Sequence, residues 1–435
     1  MNTMKKTWIG FIAAGLLGLF IGIGTSVEAG KGPETRLPID DIRNLAQVID
    51  HVKRSYVEEV DDQKLLEDAI RGMLAGLDPH SSYLTPQDFA DLKEDTSGKF
   101  GGLGIEVSMD ETGFVRVVSP IDDTPAFRAG IQAGDLITVL DDKPVKGLSL
   151  SQAVDIMRGE PGSTILLTVV RSGESKPLEI KIKRDVIKVT SIRQRMLESG
   201  YGYVRISQFQ QRTGPDFVSA MKKLRDENGD KLNGLVLDLR NNPGGVLNAA
   251  VDVVDALISE GLIVYTEGRL PDSEFKYSAT SGDASDSVNL VVLINGGSAS
   301  ASEIVAGALQ DHKRAVIMGT QSFGKGSVQT ILPLGENRAL KLTTARYYTP
   351  SGRSIQAQGI VPDIVVERGK LNLEESRFFK ESDLQGHLEN NTATSTEAGK
   401  ANGDPEAEKN LAETDYQLYE ALNMLKGMHI VSIMK

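Results

Sequence analysis

Continuous apolar strands alternate with helical segments between residues 200 and 367, and few folds accommodate that order. Residues 234–240 and 288–296 are apolar along their whole length, which predicts strands that are covered on both faces. Helices are predicted over residues 214–226, 246–258 and 302–311. Buried strands separated by helices predict an α/β core.

The composition excludes several classes of function. A chain of 435 residues with 40% hydrophobic and 25% charged residues has an ordinary globular composition and room for two or three domains. Its net charge of -12 argues against a general nucleic-acid binder. The absence of cysteine excludes disulfides, thiol nucleophiles and cysteine-ligated metals.

The N-terminus has the layout of an export signal. Lys5 and Lys6 precede an apolar run over residues 8–24, and small residues at 27–29 suit signal cleavage before Gly30. The alternative is an uncleaved signal anchor, since the run is close to the shortest length that spans a bilayer. Both alternatives place the remaining chain outside the cytoplasm.

Helices are predicted at both ends of the mature chain. Apolar residues spaced by three and four form a narrow stripe that comprises Ile42, Leu45, Ile49, Val52 and Tyr56. Such a stripe suits either packing on its own domain or pairing with a second copy. A second helix is predicted at 63–77. Residues 384–410 are polar and predict a disordered linker, and the apolar segment after them predicts a helix docked on its own core or on another subunit.

Residues 319–327, GTQSFGKGS, superficially resemble a phosphate-binding loop. That motif requires Ser or Thr directly after its lysine and a helix beyond, but Gly326 follows Lys325 and the next residues predict a strand. A buried lysine can instead act as a base once its pKa is depressed. Gln329 would lie on the same face of an extended segment and could orient the amine. The alternative is a surface lysine in a turn.

Three serines compete as a nucleophile in the stretch at 293–315. A buried strand there is predicted to run into a Gly/Ser turn and then a helix, so the turn faces the positive end of the helix dipole. The candidates are Ser298, Ser300 and Ser302. The alternative for each is a helix cap or a simple turn residue.

No histidine is expected beside these serines. His312 lies farther along the same predicted helix, about 15 Å from its start. The others are predicted to lie in the N-terminal helices, the linker and the chain end: His51, His80, His387 and His429. This distribution favours a lysine as the base. The glycines of 239–245, Gly244 and Gly245, are candidate oxyanion donors, with the amide of Glu303 or the Ser302 turn as the second; a turn without a ligand is the alternative.

Residues 100–185 resemble a PDZ domain. The resemblance rests on GLGI at 102–105, TPAFRAGIQAGDLI at 124–137, and short strands around helices predicted at 125–129 and 150–157. It implies that the GLGI loop offers backbone N–H groups to the terminal carboxylate of a bound peptide, with an apolar pocket for its last side chain. The loop residues are Gly102, Leu103, Gly104 and Ile105.

The motifs together resemble the carboxyl-terminal processing peptidases, also called tail-specific proteases. The resemblance rests on LDPHSSYLTP, GLGI, LDLRNNPGG, NGGSASASEI, GTQSFGKGSVQ and YYTPSGRSIQAQGIVPDI in this order. It implies a Ser–Lys dyad in which Ser302 is the nucleophile, Lys325 the base and Gln329 the residue that positions the lysine. It also implies that peptide binding to the PDZ domain regulates assembly of the site, with Arg158 as a candidate regulatory residue.

The sequence therefore predicts a multidomain α/β protein with a crotonase-like ββα-spiral protease core, an inserted PDZ domain and helical extensions at both ends. The predicted segments are 1–29 (signal), 30–98 (helical region), 99–186 (PDZ domain), 187–370 (protease core), 371–410 (linker) and 411–435 (helix).

The predicted function is a serine endopeptidase of the bacterial envelope, or periplasm. It needs no metal or cofactor and acts on proteins with apolar C-termini. A homo-oligomer through the terminal helices and an adaptor protein are also expected, whereas nucleic acid is not. A PDZ scaffold with an inactive hydrolase core is the alternative, and a crotonase-type acyl-CoA enzyme is disfavoured by the signal and the PDZ domain.

Overall fold

The computed structural model describes residues 38–369 apart from 122, 230 and 281, together with 385, 387, 388 and 411–434. The predicted signal at 1–29 lies outside the described residues, and so does the predicted linker apart from those three isolated positions. Within the described part of the chain, no helix is both long and apolar enough to cross a membrane. The chain divides into a small unit that ends at Ile70 and a large unit that begins at Arg71.

Nine helices are named here among the described residues: α1 (Ile39–Ser55), α2 (Asp62–Ala75), α3 (Pro86–Ser97), α4 (Pro125–Arg128), α5 (Leu150–Met157), α6 (Thr213–Glu227), α7 (Leu247–Asp255), α8 (Ala301–Asp311) and α9 (Tyr416–Ile433). The first ten strands are β1 (Ser82–Leu84), β2 (Lys99–Gly102), β3 (Ile105–Met109), β4 (Val115–Pro120), β5 (Leu136–Leu140), β6 (Lys143–Pro144), β7 (Thr164–Val170), β8 (Leu178–Lys183), β9 (Asp185–Lys188) and β10 (Ile192–Glu198). The remaining strands are β11 (Tyr201–Ile206), β12 (Gly234–Asp238), β13 (Leu262–Gly268), β14 (Lys276–Ser278), β15 (Asn289–Ile294), β16 (Val316–Gly319), β17 (Ser327–Pro333), β18 (Ala339–Tyr348) and β19 (Ile364–Val365).

Helix α1 belongs to the small unit and buries none of its residues. Acidic side chains in its first turn and basic side chains in its last turn complement the helix dipole. The apolar stripe stays in contact with solvent, since Ile42 is 49% and Leu45 is 48% exposed. The predicted helix is present, and its stripe has no partner within the described part of the small unit.

The central sheet of the large unit orders its strands β10, β11, β12, β15, β16 and β19. All neighbours from β11 to β19 are parallel, and β10 and β11 pair antiparallel. One apolar cluster packs α6, α7 and α8 against this sheet, and a second packs α9 against it. Because parallel strands end at the same edge, the turns after β12 and β15 come together there.

A second sheet orders β1, β18, β13 and β14, and β17 pairs with β18 as an antiparallel hairpin. Ser82 of β1 lies opposite Lys341 of β18. This pairing brings the turn before β1 to the hairpin that follows Lys325. Residues separated by more than two hundred positions in sequence are therefore neighbours in space.

The PDZ-like region has its own sheet and its own core. Strands β3, β4, β5, β7 and β8 form an antiparallel sheet, to which β6 adds at β5. Val115, Ile137, Ile165 and Leu167 are fully buried in its apolar cluster. The antiparallel ribbon of β2 and β9 carries the chain into and out of this region.

Helix α9 docks on the core of its own chain. Leu418, Leu422 and Leu425 are at most 2% exposed and pack in one cluster with buried residues of β12 and β15. Arg240, just after β12, donates to both carboxylate oxygens of Asp415 at 2.7 Å, directly before the helix. Of the two positions that the sequence left open for this segment, the described residues show the intramolecular one.

The predicted fold class is confirmed: a mixed α/β core carries a PDZ-like region and helices toward both ends of the described chain. One local prediction is corrected. The helix predicted at 63–77 ends at Ala75, and His80 lies in a turn rather than in an N-terminal helix. Pro79 removes a backbone donor, and Asp78 accepts the N–H groups of His80 and Ser81 at 2.8 and 2.9 Å, so the chain turns there.

Candidate active site

The turn between β15 and α8 holds Ser298 and Ser300, and Ser302 lies in the first turn of α8. Ser300 is the N-cap of α8 and has a φ of 54° and a ψ of -110°. A positive φ is uncommon for a residue other than glycine, and such backbone outliers cluster at functional sites. The turn therefore presents Ser300 at the positive end of the helix in a conformation that the surrounding structure must enforce.

The hydroxyl partners distinguish the three serines. Ser298 Oγ donates to the Leu239 carbonyl at 2.8 Å, and Ser302 Oγ donates to the Asn242 carbonyl at 2.9 Å. Both serines are 0% exposed, whereas Ser300 is 8% exposed and its hydroxyl donates to no acceptor among the described residues. Ser298 and Ser302 thus brace the turn after β12, and Ser300 alone keeps a hydroxyl available for chemistry.

The buried carboxylate of Glu303 joins the serine turn to the lysine loop. Its Oε2 accepts the N–H of Ser300 at 2.7 Å and the N–H of Lys325 at 2.9 Å. Its Oε1 accepts the Gly324 N–H and the Ser322 hydroxyl, both at 2.6 Å. One oxygen therefore holds the backbones of Ser300 and Lys325 together. This geometry favours Ser300 over Ser302, the residue that the motif resemblance implied.

Lys325 is partly buried just before β17. Burial lowers the pKa of its ammonium below the ordinary value, and the positive charge of Lys341 lowers it further. The negative charges of Asp78 and Glu303 act in the opposite direction. Among the described residues, no hydrogen bond or ion pair reaches its Nζ, so the amine is shielded and uncommitted.

Gln329 lies two residues beyond the start of β17. Its Nε2 donates to Thr343 Oγ1 at 2.9 Å and to Ser327 Oγ at 3.2 Å. Its Oε1 is buried and has no hydrogen-bond partner in the described structure. The amide is therefore anchored by its nitrogen and offers a free acceptor, as the orientation of an amine requires.

Gly244 brings the backbone after β12 against the serine turn, and Gly245 brings it against Phe209. A Cβ on Gly244 would lie 2.8 Å from Ser300 Cβ, and a Cβ on Gly245 would lie 2.1 Å from the Phe209 carbonyl oxygen. Their φ values of 101° and 139° also favour glycine. The Gly245 N–H has no acceptor among the described residues, which suits an oxyanion donor. The Gly244 N–H donates to Asn242 Oδ1 and the Glu303 N–H to the Ser300 carbonyl, both at 2.9 Å, so neither is free.

The GLGI loop has the backbone arrangement that carboxylate capture requires. The carbonyl of Leu103 accepts the Ala126 N–H, and the carbonyl of Gly104 accepts the Ile121 N–H, both at 2.9 Å. The N–H groups of Leu103 and Gly104 have no acceptor in the described part of the chain. Gly102 ends β2, Ile105 begins β3, and Leu103 is 2% exposed in the PDZ core.

Arg158 caps the C-terminal end of α5 and reaches the helix before the PDZ region. Its NH1 donates to Glu94 Oε2 at 3.0 Å and lies 3.8 Å from Asp91 Oδ1. Its guanidinium also lies 5.2 Å from the centroid of the Phe100 ring. Among the described residues, its side-chain hydrogen bonds and ion pairs reach neither the serine turn nor the lysine loop.

Several functional neighbours were missed by sequence reasoning. The carboxylate of Glu303 was overlooked because only its amide was considered. A sequence signal for this role was present. Ser300 and Glu303 have the spacing of a capping box, which identifies Ser300 as the N-cap residue. Asp78, His80 and Thr343 carry no such signal, because β1 and β18 bring them to Lys325 from distant segments.

Comparison with family models assigns three regions of the chain. Residues 200–366 match the model of peptidase family S41, and residues 101–182 match a PDZ domain. Residues 25–87 match the N-terminal domain of the activating protease CtpB.

Named relatives cover most of the chain. A carboxy-terminal-processing protease of Bartonella bacilliformis is 48% identical over 420 residues, which covers 96% of this chain and 94% of the relative. A carboxyl-terminal-processing protease of Synechocystis sp. is 36% identical over 313 residues, 71% of this chain and 72% of the relative. Among solved structures, the photosystem II D1 C-terminal processing protease is 32% identical, with a TM-score of 0.44 over 74% of this chain and 92% of that one.

Proposed function

Because this chain belongs to the carboxyl-terminal processing serine proteases of peptidase family S41, we propose that it cleaves proteins with a Ser–Lys dyad made of Ser300 and Lys325. One observation carries the assignment: Glu303 Oε2 accepts the N–H groups of both residues. The Ser300 hydroxyl, which donates to no acceptor among the described residues, and the lowered pKa of Lys325 support it further.

The dyad works by moving one proton in each half of the reaction. Neutral Lys325 accepts the Ser300 hydroxyl proton while Oγ forms a bond to the scissile carbonyl carbon. The resulting ammonium then protonates the amine that leaves, and an acyl-enzyme remains. Lys325 next takes a proton from water, whose oxygen attacks the acyl carbon. As the bond from the acyl carbon to Ser300 Oγ breaks, the ammonium returns that proton to Oγ, which restores the serine and the neutral lysine. The lowered pKa matters because only a neutral amine can begin either half.

The negative charge on the substrate oxygen is stabilised by backbone donors near Ser300. The Gly245 N–H has no acceptor among the described residues, and Gly245 directly follows Gly244, which packs against Ser300. The N–H of Gly244 becomes a second donor once it leaves Asn242 Oδ1. Ser300 and Lys325 make no hydrogen bond with each other here, so catalysis requires the lysine side chain to turn toward the serine.

The PDZ domain supplies substrate recognition in this proposal. The free N–H groups of Leu103 and Gly104 bind the terminal carboxylate of a substrate, and its apolar last residue enters the adjacent pocket. Peptide binding then favours the assembled dyad by changing the placement of the PDZ domain, which Arg158 links to α3. An adaptor protein that delivers substrates is compatible with this arrangement.

We place the enzyme in the bacterial envelope because residues 1–29 have the layout of an export signal. The exposed stripe on α1, including Ile42 and Leu45, is proposed to pair with a second copy of the chain. Mass determination of the mature N-terminus shows whether the export signal has been removed. Light scattering of the purified protein shows whether two or more copies associate. An intact N-terminus on cytoplasmic protein, or a monomer at micromolar concentration, contradicts them.

Paired serine variants test the dyad. Ser300→Ala and Lys325→Ala should each lower kcat/KM for a fluorescence-quenched peptide with an apolar C-terminus by at least about a thousandfold. Ser302→Ala removes a hydrogen bond to the buried Asn242 carbonyl, so it should cost about 1–3 kcal/mol of stability yet keep most activity. Covalent labelling by a fluorophosphonate should be lost in Ser300→Ala, be lost or strongly slowed in Lys325→Ala, and persist in Ser302→Ala.

Circular dichroism and thermal unfolding of each variant serve as the folding controls. A folded Ser300→Ala protein that still cleaves and labels would exclude Ser300 as the nucleophile. Loss of labelling in Ser302→Ala alone would restore the assignment that the motifs implied. The scaffold alternative predicts no labelling at all, in any variant or in the natural protein.

A further inference from the structure

Gln329 carries an unusual atom. Among the residues that the structure describes, its Oε1 is the sole buried side-chain nitrogen or oxygen without a hydrogen-bond partner. Leaving a buried acceptor unpaired costs about 1–3 kcal/mol. A free acceptor in this position therefore calls for a group that binds it during the reaction.

The other end of the same amide is held firmly. Both contacts of Nε2 are with hydroxyl oxygens, Thr343 Oγ1 at 2.9 Å and Ser327 Oγ at 3.2 Å. Each N–H of the amide thus has an acceptor, and the carbonyl oxygen must face away from them. The orientation of Gln329 depends on Thr343 offering a lone pair instead of a proton.

Asp78 is linked to Thr343 through Ser81. Ser81 Oγ accepts the Thr343 N–H at 3.1 Å and donates to Asp78 Oδ2 at 2.6 Å. The Thr343 hydroxyl also faces this carboxylate. Burial favours the neutral acid, but hydrogen bonds from Ser81, His80 and Thr343 outweigh it and lower the pKa of Asp78. An ionised carboxylate only accepts, so a Thr343 hydroxyl that bonds to it must donate and then keeps a lone pair for Gln329.

We propose that Asp78, Ser81 and Thr343 form a positioning network that presents the carbonyl oxygen of Gln329 to the amine of Lys325. The inference rests on the proposed Ser300–Lys325 dyad and assigns a role to the LDPHSS segment. In this network, the Thr343 hydroxyl donates toward Asp78 and accepts the N–H of the Gln329 amide. None of these three residues needs to touch the substrate.

An unpaired acceptor on Gln329 and an unpaired amine on Lys325 support the pairing of these two side chains. Gln329 Oε1 lacks a donor and Lys325 Nζ lacks an acceptor among the described residues, so one N–H···O bond would satisfy both. Lys325 is close enough to the Asp78 turn for Asp78 to raise its pKa and for Lys325 to lower that of His80. The other charges that face the amine are Glu303 on α8 and Lys341 on β18.

A pair of adjacent threonines allows a matched test in the full-length enzyme. Thr343→Val removes the acceptor of the Gln329 amide and should lower kcat for the quenched peptide at least about tenfold, with KM unchanged. Thr343→Ser keeps the hydroxyl and should restore kcat to within about threefold. Thr344→Val is the control, because Thr344 lies next in β18 and pairs with Thr330 Oγ1 at 2.6 Å, outside the network.

A double-mutant cycle separates positioning from general destabilisation. If Thr343 acts through Gln329, Thr343→Val should have no further effect on kcat in the Gln329→Ala enzyme. Independent effects that multiply would overturn the proposal, and so would a Thr343→Val enzyme with the activity of Thr343→Ser. Lys325→Ala is measured in parallel. If that variant is active the dyad itself fails, whereas an inactive Lys325→Ala beside a fully active Thr343→Val refutes only the network.

Asp78→Asn supplies a second readout. The amide can donate where the network requires an acceptor, so the plateau of kcat should fall. The substitution also removes a negative charge that raises the pKa of Lys325, so the ascending limb of activity should move to lower pH. A pH profile whose limb and plateau both match the natural enzyme would contradict the role of Asp78.

Discussion

A lysine serves as a base only while its amine is neutral, and the charges around Lys325 decide the pH at which that happens. Burial and Lys341 lower the pKa of Lys325, while Asp78 and Glu303 raise it. The net effect is a lowered pKa, so the neutral amine is more abundant near neutral pH than for an exposed lysine. Activity should therefore rise with pH as Lys325 loses its proton.

Lys341→Met tests this balance. Removing the positive charge of Lys341 takes away one cause of the lowered pKa, so the ascending limb of kcat/KM against pH should move to higher pH. Lys222→Met, which replaces an exposed lysine of α6, should leave the limb in place. The peptide assay across pH gives both profiles. A limb that stays fixed or moves to lower pH in Lys341→Met would show that Lys341 does not act on the base.

The sequence predicted Lys325 and Gln329 as site residues, but its composition left three serines open and the motif resemblance chose Ser302, whereas the geometry favours Ser300. The three serines lie within five residues of one another in a stretch of small residues, where composition is uninformative. The choice depends on the carbonyls of Leu239 and Asn242, which accept the hydroxyls of Ser298 and Ser302 from some sixty positions away. Such a contact depends on the pairing of β12 with β15, so it cannot be predicted from the residues around the serines.

Among the elements, helix α9 is the one whose position the sequence left open. Its buried side chains cover the face of the central sheet opposite α8, and its last turns are exposed. Leu422 is 1% exposed, whereas Ile430 on the same helix is 58% exposed. The same helix thus provides a buried and an exposed apolar position for comparison.

Truncation at these two positions should have unequal effects. Leu422→Ala leaves a cavity against the sheet and should cost about 2–5 kcal/mol of unfolding free energy. Ile430→Ala loses little contact and should change stability by less than about 0.5 kcal/mol. Urea unfolding followed by circular dichroism measures both. Equal effects would mean that α9 does not dock on its own core in solution.

Most elements could be predicted because their apolar periodicity is strong. The predicted helix at 150–157 and the predicted helix at 302–311 match α5 and α8 to within one residue. Register and partner choice could not be predicted in the same way. The pairing of β1 with β18 joins segments far apart in sequence, and it is this pairing that brings the LDPHSS turn to Lys325.

For the whole molecule, the open question is how the PDZ region is held relative to the core. The ribbon of β2 and β9 joins them covalently, and within it Lys99 lies directly opposite Lys188. Like charges in such a pair weaken a two-stranded ribbon. The contact of Arg158 with Glu94 adds a side-chain link between the PDZ region and α3. The Arg158 side chain is 39% exposed and the Glu94 side chain is 32% exposed.

Reversing this charge should loosen the PDZ region. Arg158→Glu would face Glu94 and Asp91 with a third carboxylate, while the double variant Arg158→Glu/Glu94→Arg restores an opposite pair. Because exposed pairs contribute only about 0.2–1 kcal/mol, the effect should appear in local opening more than in global stability. Limited digestion with trypsin, which cleaves after Lys99 and Lys188, should be several-fold faster in the single variant and near the natural rate in the double one. If the single variant is cut no faster, or if the swap fails to slow the cut, Arg158 does not restrain the PDZ region and its regulatory role has to be sought in direct contact with the bound peptide.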